Sequence, residues 1–232
     1  MTLSLCVREP YRTDDGRQYR FGVAVTTRLP GVGAICPFVS ENGAVAVQSH
    51  ASDWLGERTL SYLADGLAVD DAVGALLAAD DDRRNRQIHG VDADGSVAVT
   101  GSGCVEFAGH REAGQFTVAG NLLADEEVID AAARSYERAA FGDPPLTERL
   151  IDALAAGVDA GGDRRESLTV GSAAVRVVDS AAPTTRTFYN DLRVDASETP
   201  VADLRTTYEA ALLGYEQSRD AYADEVDAGR PE

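Results

Sequence analysis

Residues 20–27 read RFGVAVTT and residues 43–49 read GAVAVQS, two short runs of small and β-branched side chains. Both runs predict buried β-strands, because β-branched side chains pack well on a pleated surface and small ones let a second layer approach closely. Asn42-Gly43 opens the second run, and Asn-Gly is a strong signal for a hairpin turn. These strands therefore indicate antiparallel sheets that lie between other layers of the protein.

Around these two strands, groups of strands alternate along the chain with groups of helices. Apolar spacing of helical period predicts helices near 53–64, 70–79 and 125–140, a fourth capped by Thr147, and an amphipathic helix at about 200–217. Grouped strands and grouped helices favour an α+β fold over an alternating parallel sheet. With no repeat and no linker, we interpret residues 1–232 as one domain that ends in a polar tail.

The charge of the chain is strongly one-sided. Its 232 residues carry 39 Asp and Glu against 21 basic residues, a formal net charge of −18, and all 21 basic residues are arginine. This balance argues against nucleic acid and anionic membranes as partners, since both need Lys/Arg clusters. The absence of lysine excludes Schiff bases, Walker A loops and Ser-Lys dyads. We hypothesise that the acidic surface is an adaptation to concentrated salt, typical of a halophilic source.

Other features bear on compartment and cofactors. No apolar run approaches the roughly 18 residues of a membrane span, and the first residues lack a signal-peptide pattern. Three widely spaced cysteines form neither a disulfide framework nor a zinc ribbon, and three isolated histidines have no metal-ligand spacing. We therefore expect a cytoplasmic protein with no metal and no cofactor.

Several short motifs then carry a resemblance through their order and spacing over roughly residues 2–205. The chain resembles an uncharacterised Ntn-hydrolase-like family of bacterial and archaeal proteins, a group with a domain of unknown function. The resemblance implies a four-layer αββα sandwich of the Ntn-hydrolase type, with a nucleophile at the start of the first strand. The motifs are MTLSLCVR (1–8), GVAVTTR (22–28), GAVAVQS (43–49), GNLLA (120–124), GGDRR (161–165) and DLRVD (191–195).

Thr2 is the residue that this resemblance places as nucleophile. A small second residue permits removal of Met1, after which Thr2 carries a hydroxyl and a free α-amine. An α-amine has a reference pKa of roughly 7.7–8.0, so it can act as base for its own side chain. The alternative is an ordinary start, because many proteins begin Met-Thr. Without lysine, Arg28 is the nearest cationic candidate, and it can orient or polarise but not shuttle a proton; otherwise it is a surface residue at a strand end.

Five further residues complete the candidate site. Asn121 can donate its amide to an oxyanion, or else it is a turn residue that caps the following helix. Gln48 and Ser49 end a strand expected to approach the first hairpin, and are candidate pocket lining. Asp163 and Arg164 can bind a polar substrate, or else pair with each other in a loop.

The leading hypothesis is an N-terminal-nucleophile amidohydrolase that cleaves a C–N bond in a small amide or peptide-like substrate. One alternative is a non-catalytic protein that binds or senses a small molecule and keeps the Ntn fold. Another is an oligomeric scaffold, since this architecture readily stacks, and a homo-oligomer is expected in either case.

Overall fold

A computed structural model describes residues 1–165, 167–183 and 187–228, with 220–228 as backbone. Ten strands and five helices follow one another in these residues. They are β1 (Thr2–Thr13), β2 (Gly16–Thr27), β3 (Pro37–Ser40), β4 (Gly43–Ser49), α1 (Asp53–Ala64), α2 (Val69–Ala79), β5 (Arg86–Asp92), β6 (Ser96–Thr100), β7 (Gly109–Glu112), β8 (Phe116–Asn121), α3 (Glu127–Ala139), α4 (Leu146–Asp159), β9 (Gly171–Asp179), β10 (Asp191–Ser197) and α5 (Pro200–Ala228).

The larger sheet has six strands in the order β10-β9-β2-β1-β8-β7, and each neighbouring pair is antiparallel. The long hairpin of β1 and β2 therefore occupies the middle of this sheet. Its register sets Thr2 opposite Thr27 on one side, and β8 sets Asn121 opposite Thr2 on the other. Three polar side chains thus form a row at one end of the sheet, because residues directly opposite each other share a face.

The smaller sheet has four antiparallel strands in the order β3-β4-β5-β6. Here Gln48 lies opposite Gln87, and Ser49 opposite Arg86. The two antiparallel sheets and five helices confirm the α+β prediction.

Three clusters of buried side chains hold these elements together. One joins the larger sheet to α3, α4 and α5, one joins the smaller sheet to α1 and α2, and one lies between the two sheets. Along β1, Leu3 and Leu5 belong to the first cluster, whereas Cys6 belongs to the cluster between the sheets. Because side chains alternate along a strand, Thr2 and Ser4 also face the smaller sheet.

Some local predictions differ from the structure. Thr147 does not cap α4, which begins at Leu146, and its hydroxyl instead donates to Asn190 Oδ1 at 2.6 Å. The C-terminal helix extends from Pro200 to Ala228 rather than to about 217, and the polar tail that we expected ends at residues 229–232, outside the described residues. Within the described part of the chain, no helix combines the length and apolar character needed to cross a bilayer.

Candidate functional site

The candidate site lies where β1 begins, around the row of Thr2, Thr27 and Asn121. The Thr2 hydroxyl donates to Thr27 Oγ1 at 3.3 Å, and the Thr27 hydroxyl donates to the carbonyl oxygen of Met1. Thr27 and Asn121 are buried, and Thr2 is half-buried. The peptide bond between Met1 and Thr2 therefore lies directly among hydroxyl groups.

The amine of Met1 is buried as well, and it forms an ion pair with Asp163 Oδ2, whose side chain is fully buried. Burial lowers the pKa of this amine to about 6, although the Asp163 carboxylate acts to raise it. Arg165 binds both oxygens of the carboxylate: its Nη2 lies 2.8 Å from Oδ2, which the Met1 amine also contacts, and its backbone nitrogen donates to Oδ1 at 2.7 Å. Burial acts to raise the pKa of Asp163, but the bonds from Arg165 and the amine outweigh it and hold the pKa below its usual range.

The loop after α4 carries Asp163 to this place. Gly161 and Gly162 have φ values of 126° and 54°, a region that glycine adopts without steric cost. The Gly162 carbonyl accepts from Ala124 N at 2.9 Å, and Asp163 forms a β-bridge with Leu123. The loop is thereby bonded to the segment that follows β8, next to the start of β1.

A cavity of about 370 Å³ opens beside Met1, and its wall mixes charged and apolar side chains. Arg28 borders the cavity, and its Nη1 donates to the carbonyl oxygens of Arg165 at 2.9 Å and Leu168 at 3.1 Å. Met1 and Thr27 line this cavity, whereas Thr2 does not. Such a wall suits a small molecule with polar and apolar parts. The residues that line the cavity include Met1, Thr26, Thr27, Arg28, Asp159 and Asp163.

A buried amide network holds Asn121 from the opposite sheet. Asn121 Nδ2 donates to Gln87 Oε1 at 3.0 Å, and Gln48 Nε2 donates to the same oxygen at 2.8 Å. Gln87 Nε2 in turn donates to the carbonyl of Gly120 at 2.9 Å. Asn121 is the last residue of β8 and makes these contacts between the sheets, so the alternative of a helix-capping turn residue is wrong.

Comparison with known proteins assigns the chain to a family. The model of a family of unknown function, DUF1028, matches residues 2–204. The chain belongs to the DUF1028 family.

The DUF1028 chain is also similar to a solved structure of the same family. This is the crystal structure of protein SPO2555 from Silicibacter pomeroyi, with 26% sequence identity and a TM-score of 0.72. The match covers 90% of this chain and 88% of that one. A search of curated proteins finds no match.

Two residues further along β1 than Thr2, a serine of this DUF1028 chain contacts a histidine of β5. Ser4 Oγ lies 2.7 Å from His89 Nε2, and His89 Nδ1 lies 2.8 Å from Thr117 Oγ1. A Ser-His pair can act as nucleophile and base, but here all three side chains have no solvent exposure. Burial lowers the pKa of His89 to about 3, which keeps the ring neutral. This trio therefore links the two sheets rather than meeting a substrate.

Other residues proposed from the DUF1028 sequence have different surroundings. Gln48 is buried in the amide network and does not line the cavity, and Ser49 is half-buried with a φ of 68° at the end of β4. Arg164 is exposed, and Asp163 pairs with Arg165 instead, so the expected Asp163–Arg164 loop pair is wrong.

Four contributing residues escaped the sequence reasoning: Met1, Thr27, Gln87 and Arg165. Thr27 could have been found by pairing the two strands of the first hairpin residue by residue, because that register sets it beside Thr2. No sequence signal distinguishes Arg165 from its neighbour.

Proposed function

We propose that this protein is an N-terminal-nucleophile amidohydrolase that cleaves a small amide or peptide-like substrate. The observation that carries the proposal is the setting of Thr2 at the start of the central strand β1. There Thr27 and Asn121 flank it in register, and side chains hold both the amine and the carbonyl of the preceding residue.

The arrangement of the three cores supports the same proposal. Helices, sheet, sheet and helices follow one another through these clusters. We propose that this is the four-layer αββα sandwich of the Ntn-hydrolase type that the sequence resemblance implies. The proposed nucleophile then lies on the face between the sheets.

Each polar group has a role in this proposal. Once Met1 is removed, the Thr2 amine accepts the proton of the Thr2 hydroxyl, and Oγ1 attacks the substrate carbonyl carbon. The Thr27 hydroxyl and the Asn121 amide stabilise the oxyanion. The amide C–N bond breaks, the leaving amine takes the proton, and water hydrolyses the Thr2 ester. Arg28 keeps its charge and orients groups at the cavity wall.

One observation favours the second candidate, a protein that binds a small molecule without chemistry. While Met1 remains in its ion pair with Asp163, Thr2 has no free amine, and the cavity beside Met1 can only bind. The state of residue 1 in the native protein therefore separates the two candidates.

Intact mass spectrometry of the native protein, followed by an electrophilic acyl probe, tests the proposal. We expect loss of Met1 and one acyl group on the Thr2 peptide. Thr2→Ala should abolish the labelling, while Thr2→Ser should retain it. Thr26→Ala is the matched control, since Thr26 lines the cavity but donates to the Ser172 carbonyl. Retention of Met1, or equal labelling of Thr2→Ala, would contradict the proposal.

A further inference from the structure

We infer that the position held by Met1 is the acyl-binding site of the proposed enzyme. Its substrates are then α-aminoacyl amides with a free ammonium group and an apolar, unbranched side chain. The inference rests on the proposed function and adds the substrate class to it. Three separate contacts of Met1 carry it, one for each part of an aminoacyl group.

The first contact is an ammonium subsite. The Asp163 carboxylate is fully buried, and within the described residues its cationic partners are the Met1 amine and Arg165. Loss of Met1 removes one partner, and a buried carboxylate short of a partner is unfavourable. The Thr2 amine is one residue along the strand, where pairing with both Thr27 and Asn121 fixes it. An incoming ammonium group is therefore the natural replacement.

The second contact positions a carbonyl beside the nucleophile. Thr27 Oγ1 donates to the Met1 carbonyl oxygen and lies 3.3 Å from Thr2 Oγ1. An acyl group bound next to the free Thr2 amine, close to where the Met1 carbonyl lies, would thus have its oxygen near the Thr27 hydroxyl and its carbon near Thr2 Oγ1. A donor in this place becomes more favourable as negative charge develops on the oxygen.

The third contact is a side-chain subsite. Met1 is only 3% exposed and packs in the core cluster with Leu3, Leu123 and Val128. A Cβ added at Gly162 would lie 3.8 Å from Met1 Sδ, so the end of the Met1 side chain faces this glycine with space for a methyl group between them. The subsite is apolar and suits a long, unbranched group. The leaving amine has room in the cavity that Met1 borders.

The reaction that follows is complete without any further cofactor. Thr2 Oγ1 bonds to the aminoacyl carbon, and the amide C–N bond breaks as the leaving nitrogen takes the proton of the hydroxyl. Water then cleaves the ester, which releases the free amino acid and restores the hydroxyl. The products are an amino acid and an amine or a shortened peptide.

The test measures binding separately from catalysis, on the full chain cut from a fusion partner directly before residue 2. Thr2→Ala in this chain prevents turnover, and calorimetry measures binding of L-methionine amide and of its N-acetyl form. We expect saturable binding of the amide and at least ten-fold weaker binding of the N-acetyl compound, which lacks the ammonium group. The chain that retains Met1 should bind neither.

Variants of the carboxylates sharpen the result. Asp163→Asn should weaken binding of methionine amide at least ten-fold, whereas Asp159→Asn, an exposed carboxylate on the same cavity wall, should leave it unchanged. If Asp163→Asn does not fold, the comparison of methionine amide with its N-acetyl form on the chain that retains Asp163 still tests the inference. Absence of binding, or equal binding of the two ligands, would overturn the inference.

The outcome also separates the two proposals. If acyl probes label Thr2 but methionine amide does not bind, the substrate class is wrong and the amidohydrolase stands. If methionine amide binds as expected but Thr2 is never acylated, the aminoacyl site stands and the proposed catalysis fails.

Discussion

Acidification should destabilise this protein through His89, which lies between the two sheets with no solvent exposure. Burial lowers its pKa from 6.5 to about 3, so the folded ring binds a proton far less readily than the unfolded one. Stability that depends on the neutral ring is therefore complete above pH 6.5 and is lost as the pH falls toward 3. Each pH unit in this window costs about 1.4 kcal/mol, which amounts to about 2 kcal/mol between pH 6.5 and pH 5.

Denaturant unfolding at pH 7.5 and pH 5.0, at one fixed salt concentration, measures this loss. Ordinary carboxyl groups remain mostly ionised at pH 5, but an unprocessed Met1 amine, with a pKa of about 6, also titrates in this window. The histidine contribution is therefore obtained by comparing variants with the parent protein. His89→Gln should reduce the difference between the two pH values by about 2 kcal/mol, whatever its own cost at pH 7.5. His110→Gln is the control for an exposed imidazole, which bonds to Thr100. Its charge adds to the lowering of the His89 pKa that burial causes, so this variant should change the pH difference much less than His89→Gln does. An unchanged pH difference in His89→Gln would refute the argument.

Two further predictions concern packing and charge. Gly56→Ala would place a Cβ 2.2 Å from the Phe38 ring and should lower the free energy of unfolding by roughly 1–3 kcal/mol. At Gly74 an added Cβ meets nothing within 4 Å, so Gly74→Ala should raise the free energy of unfolding by about 0.5–1 kcal/mol. Equal midpoints of denaturant unfolding for the two variants would contradict this prediction. The melting temperature should rise between low and molar salt, because salt screens the self-repulsion of a chain with a net charge of −18. A melting temperature that does not change across the salt series would contradict the hypothesis of salt adaptation.

The sequence predicted those elements whose signals are local. The helix at 53–64 matches α1 in both bounds, and GAVAVQS matches β4, because apolar period and turn residues are read within a few positions. The sequence at 33–39 also predicts a strand that pairs with 43–49, but the observed strand begins only at Pro37, since a 3-10 turn covers Val32–Ala34. That turn depends on a contact far along the chain: Val32 N donates to Ser172 Oγ at 3.0 Å.

The candidate site was only partly accessible from the sequence for a related reason. Thr2, Asn121 and Asp163 could be proposed from their types and from the family resemblance, and the structure brings all three to the start of β1. Their partners depend on long-range geometry. Arg165 rather than Arg164 meets Asp163 in a loop that follows two glycines of positive φ, and the contact of Asn121 with Gln87 requires the two sheets to meet.

The ion pair of Met1 has a consequence for how this protein would respond to its ligands. A residue tethered to its own site competes at an effective concentration of about millimolar or higher, whatever the protein concentration. On the proposed function, a free aminoacyl compound of ordinary affinity cannot displace it. Protein chains that keep Met1 would then be inactive rather than less active. The specific activity of a preparation would therefore report the fraction of chains that have lost Met1.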